Sequence, residues 1–504
     1  MHSGTFVVAI VVAVVLGSYI FRVPAIKRHG EILKRSPNTL PLVGNGLLFL
    51  QARHKLFSWF VKCEKIFGFE TFQISIPTLP GGVVVNDPQN LEYILKQEGV
   101  FAKGDFFKRR SFDLFGNGII NADGDLWRVQ RKAGLNFLNT SNLKVLTEIA
   151  LPKYLKENIS NLSKFGSQDV VDLQAVFNEL TTQLMGKMAY DMEMHDSDPF
   201  SEAFEVASAA TGDRFQNPLY PITEVFFGSR FRKAVKVVKT FGDEIVAKAS
   251  ADRKRCEGSD LESKSDPTKE LQAVSGSLIG SLLDAMPDHD TVADAALNYL
   301  TAGRDTTAQT LTWAFYLMMR HPGVLEKAQK EAEGVLTEHS GSLPKTTDID
   351  SSVFNTLTLP YSMAVFYETL RFYPPIPFEL RQCQQATTLP DGTFLPESSV
   401  VVWCLWAMNR SQLIWGEDAD VFKPERWLED GQFKARTAFE FPVFNGGTRM
   451  CLGKKMAEIV AVQTIATFVL SFDYKPVDGK ERVTANSLTL PMEGGLPVYL
   501  TAKN

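Results

Sequence analysis

Five cysteines, Cys63, Cys256, Cys383, Cys404 and Cys451, are scattered along the 504-residue chain with no CxxC pair. That spacing argues against a disulfide framework and a structural zinc site, and it places the body in a reducing compartment. Cys451 alone has an unusual setting. It lies in FNGGTRMCLG (residues 444–453), directly ahead of the helical pattern KKMAEIVAVQTIATFVL. The glycines around it let the backbone turn tightly and approach something large and flat. A cysteine at a helix start feels the positive end of the helix dipole, which lowers its pKa and favours the thiolate needed to bind iron. Arg449, two residues earlier, can meet an acidic group on such a ligand, and Phe444 is odd in a loop unless it packs over the cysteine.

A second group of reactive types is AGRDTT (302–307), where a carboxylate, a hydroxyl and a glycine fall together. The surrounding pattern predicts one helix from about Asp290, its N-cap, to His321 ahead of Pro322, roughly 45 Å long. Gly303 and the two threonines are poor helix formers, so the grouping predicts a local widening or kink in mid-helix.

The rest of the chain must position these two segments. Hydrophobic residues make up 44% and charged residues 22% of the sequence, ordinary globular material with room for a large core. The formal net charge of -5 gives no basic face for nucleic acid. Phe, at 36 copies, fits a large aromatic interior or an apolar ligand cavity. Residues 5–21, TFVVAIVVAVVLGSYIF, are uncharged and are followed by Arg22, Lys27, Arg28, Lys34 and Arg35. As a helix this segment spans roughly 25 Å, so residues 1–21 read as a single-pass membrane anchor, and the positive flank puts the body in the cytosol. A basic, Pro/Gly-rich connector (22–46) follows, then one large body (47–504). Alternating residues at 80–87, 398–403 and 494–500 predict short strands, and most of the remainder reads as helix. CEGSDLESKSDPTKE (256–270) reads as a mobile surface loop.

The segment at Phe444, Gly447, Arg449, Cys451 and Gly453 matches the FxxGxRxCxG signature, and on it the chain resembles the cytochrome P-450 family. Glu368 and Arg371 match the family's ExxR helix, and residues 422–427, with Arg426, resemble its PER segment; a Glu and an Arg three apart share one helix face. The resemblance implies the cytochrome P-450 fold, mainly α with small β-sheets, and haem b held by the Cys451 thiolate. It implies that Glu368, Arg371 and Arg426 form a network bracing the haem loop, and that Trp127, Arg131, Arg381 and Arg449 hold the two haem carboxylates. AGRDTT is similar to the family's oxygen-binding helix, so Thr306 would sit beside the oxygen site and Asp305 would relay protons from water. Further implied are O2 as co-substrate, electrons from NADPH through a separate reductase with cytochrome b5 as a second donor, and residence in the endoplasmic reticulum membrane facing the cytosol.

Residues 118–137, 226–235 and 415–427 resemble the fatty-acid and alkane ω-hydroxylases of plants and fungi. That branch implies oxidation at or near the end of a long aliphatic chain; hydroxylation of a secondary metabolite (polyketide, terpenoid or alkaloid) is the alternative. The residue pattern offers an apolar cavity lined by Phe106, Phe107, Phe112, Leu114 and Phe115 from one loop, Leu297, Leu300 and Ala302 around AGRDTT, Ile376, Pro377 and Phe378 after ExxR, and Leu488 and Leu490 in a last hairpin. Arg109 and Arg110 either hold a carboxylate at the cavity mouth or are solvated surface charge. Arg128, Lys132, Lys454 and Lys455 either form a landing area for the reductase or are likewise plain surface charge. Two rivals remain: a reductase-independent haem-thiolate isomerase or dehydratase, against which Asp305 and Thr306 count, and a haem-binding regulatory or transport protein, which coupled NADPH consumption would exclude.

Overall fold

The computed structural model describes residues 25–76, 79–256, 271 and 274–503. The apolar segment at residues 5–21 and the polar stretch at 257–270 lie outside the described residues. Among the described residues no helix is long and apolar enough to cross a membrane. The helices that build the site are, in chain order, α1 (Arg53–Phe67), α2 (Gly104–Phe115), α3 (Gly124–Phe137), α4 (Leu173–Tyr190), α5 (Pro199–Gln216), α6 (Tyr220–Phe227), α7 (Ser229–Cys256), α8 (His289–Arg320), α9 (Pro360–Phe372) and α10 (Lys454–Ser471). Strands β1 (Phe72–Ile74), β2 (Gly82–Val84), β3 (Phe101–Ala102), β4 (Phe378–Cys383) and β5 (Val400–Cys404) form one sheet in the order β1-β2-β5-β4-β3, parallel only where β5 meets β2. The result is mainly helical with small sheets, as expected.

The three predicted strands are present with shifted bounds. The last begins only at Pro497, because Gly494 and Gly495 both take φ near +72° and turn the chain first. Leu488 and Leu490 lie, as expected, in a hairpin, closed by an isolated antiparallel bridge between Thr484 and Met492 with the Ala485 N–H donating to the Pro491 carbonyl at 2.8 Å. Side chains of α8 also hold that segment: the Leu490 N–H donates to Gln309 Oε1 at 2.9 Å, and Trp313 Nε1 donates to the Leu490 carbonyl at 2.9 Å.

The long helix predicted around AGRDTT is α8. Its cap is Asp288, two residues earlier than expected, which accepts from the Thr291 N–H. The expected widening is absent, since α8 runs unbroken through residues 302–307. Thr306 and Thr310 keep their helical backbone by donating their hydroxyls to the carbonyls four residues earlier, at 2.8 and 2.7 Å. Gly303 answers a packing need: a Cβ there would lie 2.6 Å from the Met185 sulfur of α4, so the two helices cross where there is no side chain. Residues 106–115, read as a loop, are helix α2, ended by Gly116 at φ +50°.

Candidate active site

The Cys451 loop is closed by its own backbone. The Cys451 N–H donates to the Phe444 carbonyl at 2.7 Å, and Phe444 packs against Phe366 and Tyr367 of α9. Gly447 takes φ +63°, and a Cβ there would fall 2.0 Å from the Leu95 carbonyl oxygen, so only glycine fits. Gly453 differs from the tight-turn reading: its φ of -78° is open to any residue. Cys63, Cys383 and Cys404 are buried, and burial pushes the first two thiols up to about 12 and the third higher still, so all three are inert. Cys451 alone of the described cysteines is open to a cavity. Its pKa, expected to be lowered by the helix start, is raised by burial; the Gly453 and Lys454 N–H groups and Arg131 pull the other way and lose. Coordination of the sulfur to a metal would favour the thiolate in addition to the helix end.

Beside this thiol the structure gathers a charge cluster. Arg131 of α3 donates to the Met450 carbonyl at 3.0 Å and lies over the Trp127 ring, with its Cζ 5.3 Å from the centroid. Arg449 also lies over the Trp127 ring, at 4.6 Å, donates to the Ala122 carbonyl at 3.0 Å and pairs with Asp123 at 2.7 Å, yet its buried Nε has no partner. Arg381 of β4 and Lys103 share Glu379, at 3.0 and 3.1 Å. Burial pushes the Lys103 ammonium down to about 8 against the pull of Glu379. Lys103 and Arg381 thus pair with Glu379, Arg449 and Lys108 pair with Asp123, and Arg131 forms no ion pair among the described residues, so the surplus of positive charge plus the orphaned Arg449 Nε fits a ligand that brings its own carboxylates. Lys103, Asp123 and Glu379 carry no local motif. They meet only because β3, α3 and β4 bring their ends together.

Glu368 and Arg371 of α9 are completely buried and form a two-pronged pair at 2.9 and 2.8 Å. Glu368 also accepts from Arg426 Nε, Trp427 Nε1 and the Lys423 N–H, each at 2.9 Å. Arg371 spends its other donors on the carbonyls of Asn409, Ala419 and Val421. The aromatic rings of Tyr367 and Trp427 carry this network to Phe441 and Phe444, at the base of the Cys451 loop.

A cavity of about 550 Å³ joins these parts, with Cys451, Phe444, Gly453, Trp127, Arg131, Arg381 and Arg449 on its walls. Asp305 and Thr306 of α8 face it as well. Burial raises the Asp305 carboxyl to about 6, opposed by Arg304 and reinforced by Asp196. The buried Arg304 bridges the two acids, 2.5 Å from Asp196 and 3.5 Å from Asp305. Phe106, Phe107, Phe115, Ala302, Ile376, Pro377, Phe378 and Leu488 line the cavity as expected. Phe112, Leu114, Leu297, Leu300 and Leu490 do not. Phe112 is on the solvent side of α2, while the other four are buried in the core. At about 100° per helical residue, Leu297 points opposite to Thr306 and Leu300 some 120° away. Leu297 instead packs where α7 has Gly242, whose Cβ would meet it at 2.8 Å. Neither Arg109 nor Arg110 lines the cavity: Arg109 is exposed near Asp105, and the buried Arg110 donates to the Phe106 carbonyl and covers that ring.

A sequence profile described as Cytochrome P450 matches residues 35–496. The chain is 30% identical to Cytochrome P450 86B1 of Arabidopsis thaliana, over 85% of its own length and 79% of that protein. It is 29% identical to Cytochrome P450 704B1 of the same organism, over 98% and 99% of the two chains. With Cytochrome P450 monooxygenase cyp1 of Mycosarcoma maydis it shares 30% identity over 93% of its length and 75% of that protein.

Proposed function

This chain belongs to the cytochrome P450 family, monooxygenases that use haem iron with a thiolate ligand, O2 and NADPH-derived electrons passed on by a reductase, and from that premise we propose that it hydroxylates the terminal or near-terminal carbon of a long-chain fatty acid or alkane. The observation that carries this reading is the apolar cavity that has Cys451 on one wall and the Asp305–Thr306 pair on another. Its remaining lining is dominated by Phe, Leu, Ile and Pro, suited to a hydrocarbon chain. Bound haem supplies O2 activation and insertion of one oxygen atom into a C–H bond.

The chain's own residues do the rest. Cys451 Sγ would hold the iron, and Arg131, Arg381, Arg449 and the Trp127 indole would hold the haem carboxylates. Glu368, Arg371 and Arg426 keep the Cys451 loop in the shape that allows this. Asp305, whose carboxyl burial raises to about 6, takes up a proton from water and gives it up toward Thr306 Oγ. Arg304 holds the Asp305 carboxyl at 3.5 Å from its Nε while it pairs with Asp196. Thr306, whose hydroxyl donates to the Ala302 carbonyl at rest, turns that proton toward the cavity. Phe106, Phe107 and Phe115 exclude water from the apolar part.

Membrane attachment in the endoplasmic reticulum, through residues 1–21 and the connector at 22–46, belongs to the same proposal. It gains support from α6, which has no buried residue and exposes Phe226 and Phe227 by 74% and 83%. Reductase docking on Arg128, Lys132, Lys454 and Lys455 is favoured by the Arg131–Met450 bond, which ties α3 to the loop ahead of α10. Neutralising those four charges should weaken reductase affinity and flatten its salt dependence; unchanged values would remove the docking site. The substrate reading is tested by incubating microsomes, reductase and NADPH with fatty acids, alkanes and polycyclic lipids, locating products by mass spectrometry. Hydroxylation near the chain end is expected, and oxidation confined to ring carbons would contradict it.

A further inference from the structure

Among the described residues, the cations that line the cavity are Arg53, Lys103, Arg131, Arg381 and Arg449. The last four belong to the charge cluster beside Cys451. Arg53 does not. It begins α1, and with Leu56 and Phe60, which also line the cavity, it forms a stripe at i, i+3 and i+7 on one helix face. The acid that acts on Arg53 is Asp213 of α5, whereas the cluster beside Cys451 is held by Asp123 and Glu379 and the Asp305 carboxyl by Arg304. Arg53 thus belongs to the α1–α5 side of the cavity, outside the ion pairs that surround Cys451 and Asp305.

Arg53 is also short of partners. Its Nη1 is buried with no hydrogen-bond acceptor, while its Cζ lies 5.6 Å from the Phe57 ring. Asp213, the nearest acid to influence it, is already bound by the Asn486 amide at 2.5 Å and lies within ion-pair distance of no cation among the described residues. The Gln216 side chain of α5 donates to the Gln51 carbonyl, tying α5 to the segment just before α1. A buried guanidinium donor left without an acceptor is costly, and it is retained where a ligand supplies the missing acceptor.

We propose that Arg53 anchors the carboxylate of the substrate, so that the acid head is held at one end of the cavity and the far end of the chain is presented to Cys451 and Thr306. The proposal rests on the long-chain reading above and narrows it to fatty acids over alkanes. It also explains oxidation at the chain end, because the fixed point is the head group.

The test uses the full-length holoenzyme and three probes of equal chain length: a long-chain fatty acid, its methyl ester and the corresponding alkane. Binding is read from the haem spin-state shift and turnover from product analysis, in wild type, Arg53→Gln and Arg53→Lys. The wild type should prefer the acid. In Arg53→Gln the acid-to-ester ratio of kcat/KM should fall about tenfold to a hundredfold, the range expected for one hydrogen bond to a charged group, and hydroxylation should spread along the chain. Arg53→Lys should recover part of the ratio, which shows that charge and not folding is responsible. If acid and ester bind and react alike in wild type and the ratio is unmoved in Arg53→Gln, the anchor is refuted while the long-chain reading stands. If none of the three linear probes produces a shift or a product, both fall together.

Discussion

Glu368→Ala removes the single carboxylate on which five donors converge: two from Arg371, and one each from Arg426, Trp427 and the Lys423 backbone. Orphaning a buried charge costs about 3–5 kcal/mol. One such penalty applies, because Arg371 keeps three carbonyls and Arg426 keeps Asp418 at 3.1 Å. The Trp427 and Lys423 N–H groups add about 1 kcal/mol or more each. The sum, about 5 kcal/mol or more, is comparable with the whole stability of a typical domain. Glu368→Gln should do little better, since its amide would turn N–H groups toward donors. The assay is the haem-to-protein ratio and the reduced carbonyl spectrum of the purified variant, beside the wild type. A Glu368→Ala protein with normal haem content and an unshifted denaturation midpoint would refute the reasoning.

Other outcomes follow from the same geometry. Gly447→Ala must force a Cβ against the Leu95 carbonyl at a positive φ, so haem loading should be lost; a fully loaded variant would contradict the loop description. Arg449→Met should speed haem loss to an acceptor protein such as apomyoglobin, and an unchanged rate would remove Arg449 from the carboxylate-binding set. Asp305→Asn should cut product formation by about a hundredfold, read as product per NADPH consumed, and wild-type coupling would exclude the proton role. The Asp305 carboxyl is held near 6 in the fold, above its value of 3.8 in an unfolded chain, so its stabilising share is present at low pH and is lost as pH rises through 6. Denaturation midpoints should therefore show Asp305→Asn gaining on the wild type between about pH 3.5 and 6.5, by up to ~3 kcal/mol, and a constant difference would refute that assignment.

What could be read in the sequence was local. The Cys451 loop and the Glu368–Arg371 pair are encoded within ten residues or one helical turn. The long helix α8 is encoded in its periodicity, and the structure places each where the pattern implied. Failures came where a side chain's direction mattered. Residues 106–115 were taken for a loop, so the helical spacing that turns Phe112 outward was lost. Leu297 and Leu300 precede AGRDTT in sequence but leave α8 on other faces. The weak helix formers of AGRDTT point to a kink in sequence, whereas close packing of Gly303 on Met185 and the Thr306 hydroxyl bond to the Ala302 carbonyl account for two of them within an unbroken helix. Lys103, Asp123, Glu379 and Arg53 were invisible because their meaning comes from what the fold sets beside them. The thiol of Cys451 was misjudged in pKa because burial, a tertiary property, outweighs the local helix end.

The central claim is that Cys451 supplies the sulfur to the iron. Its most direct measurement is the absorption of the reduced carbonyl complex of Cys451→Ser, prepared with haem and compared with the wild type. The wild type should show the red-shifted band that a thiolate ligand alone produces, and the variant should lack it whether or not haem remains bound. A Cys451→Ser protein that retains the red-shifted band would place the sulfur ligand elsewhere and contradict the account.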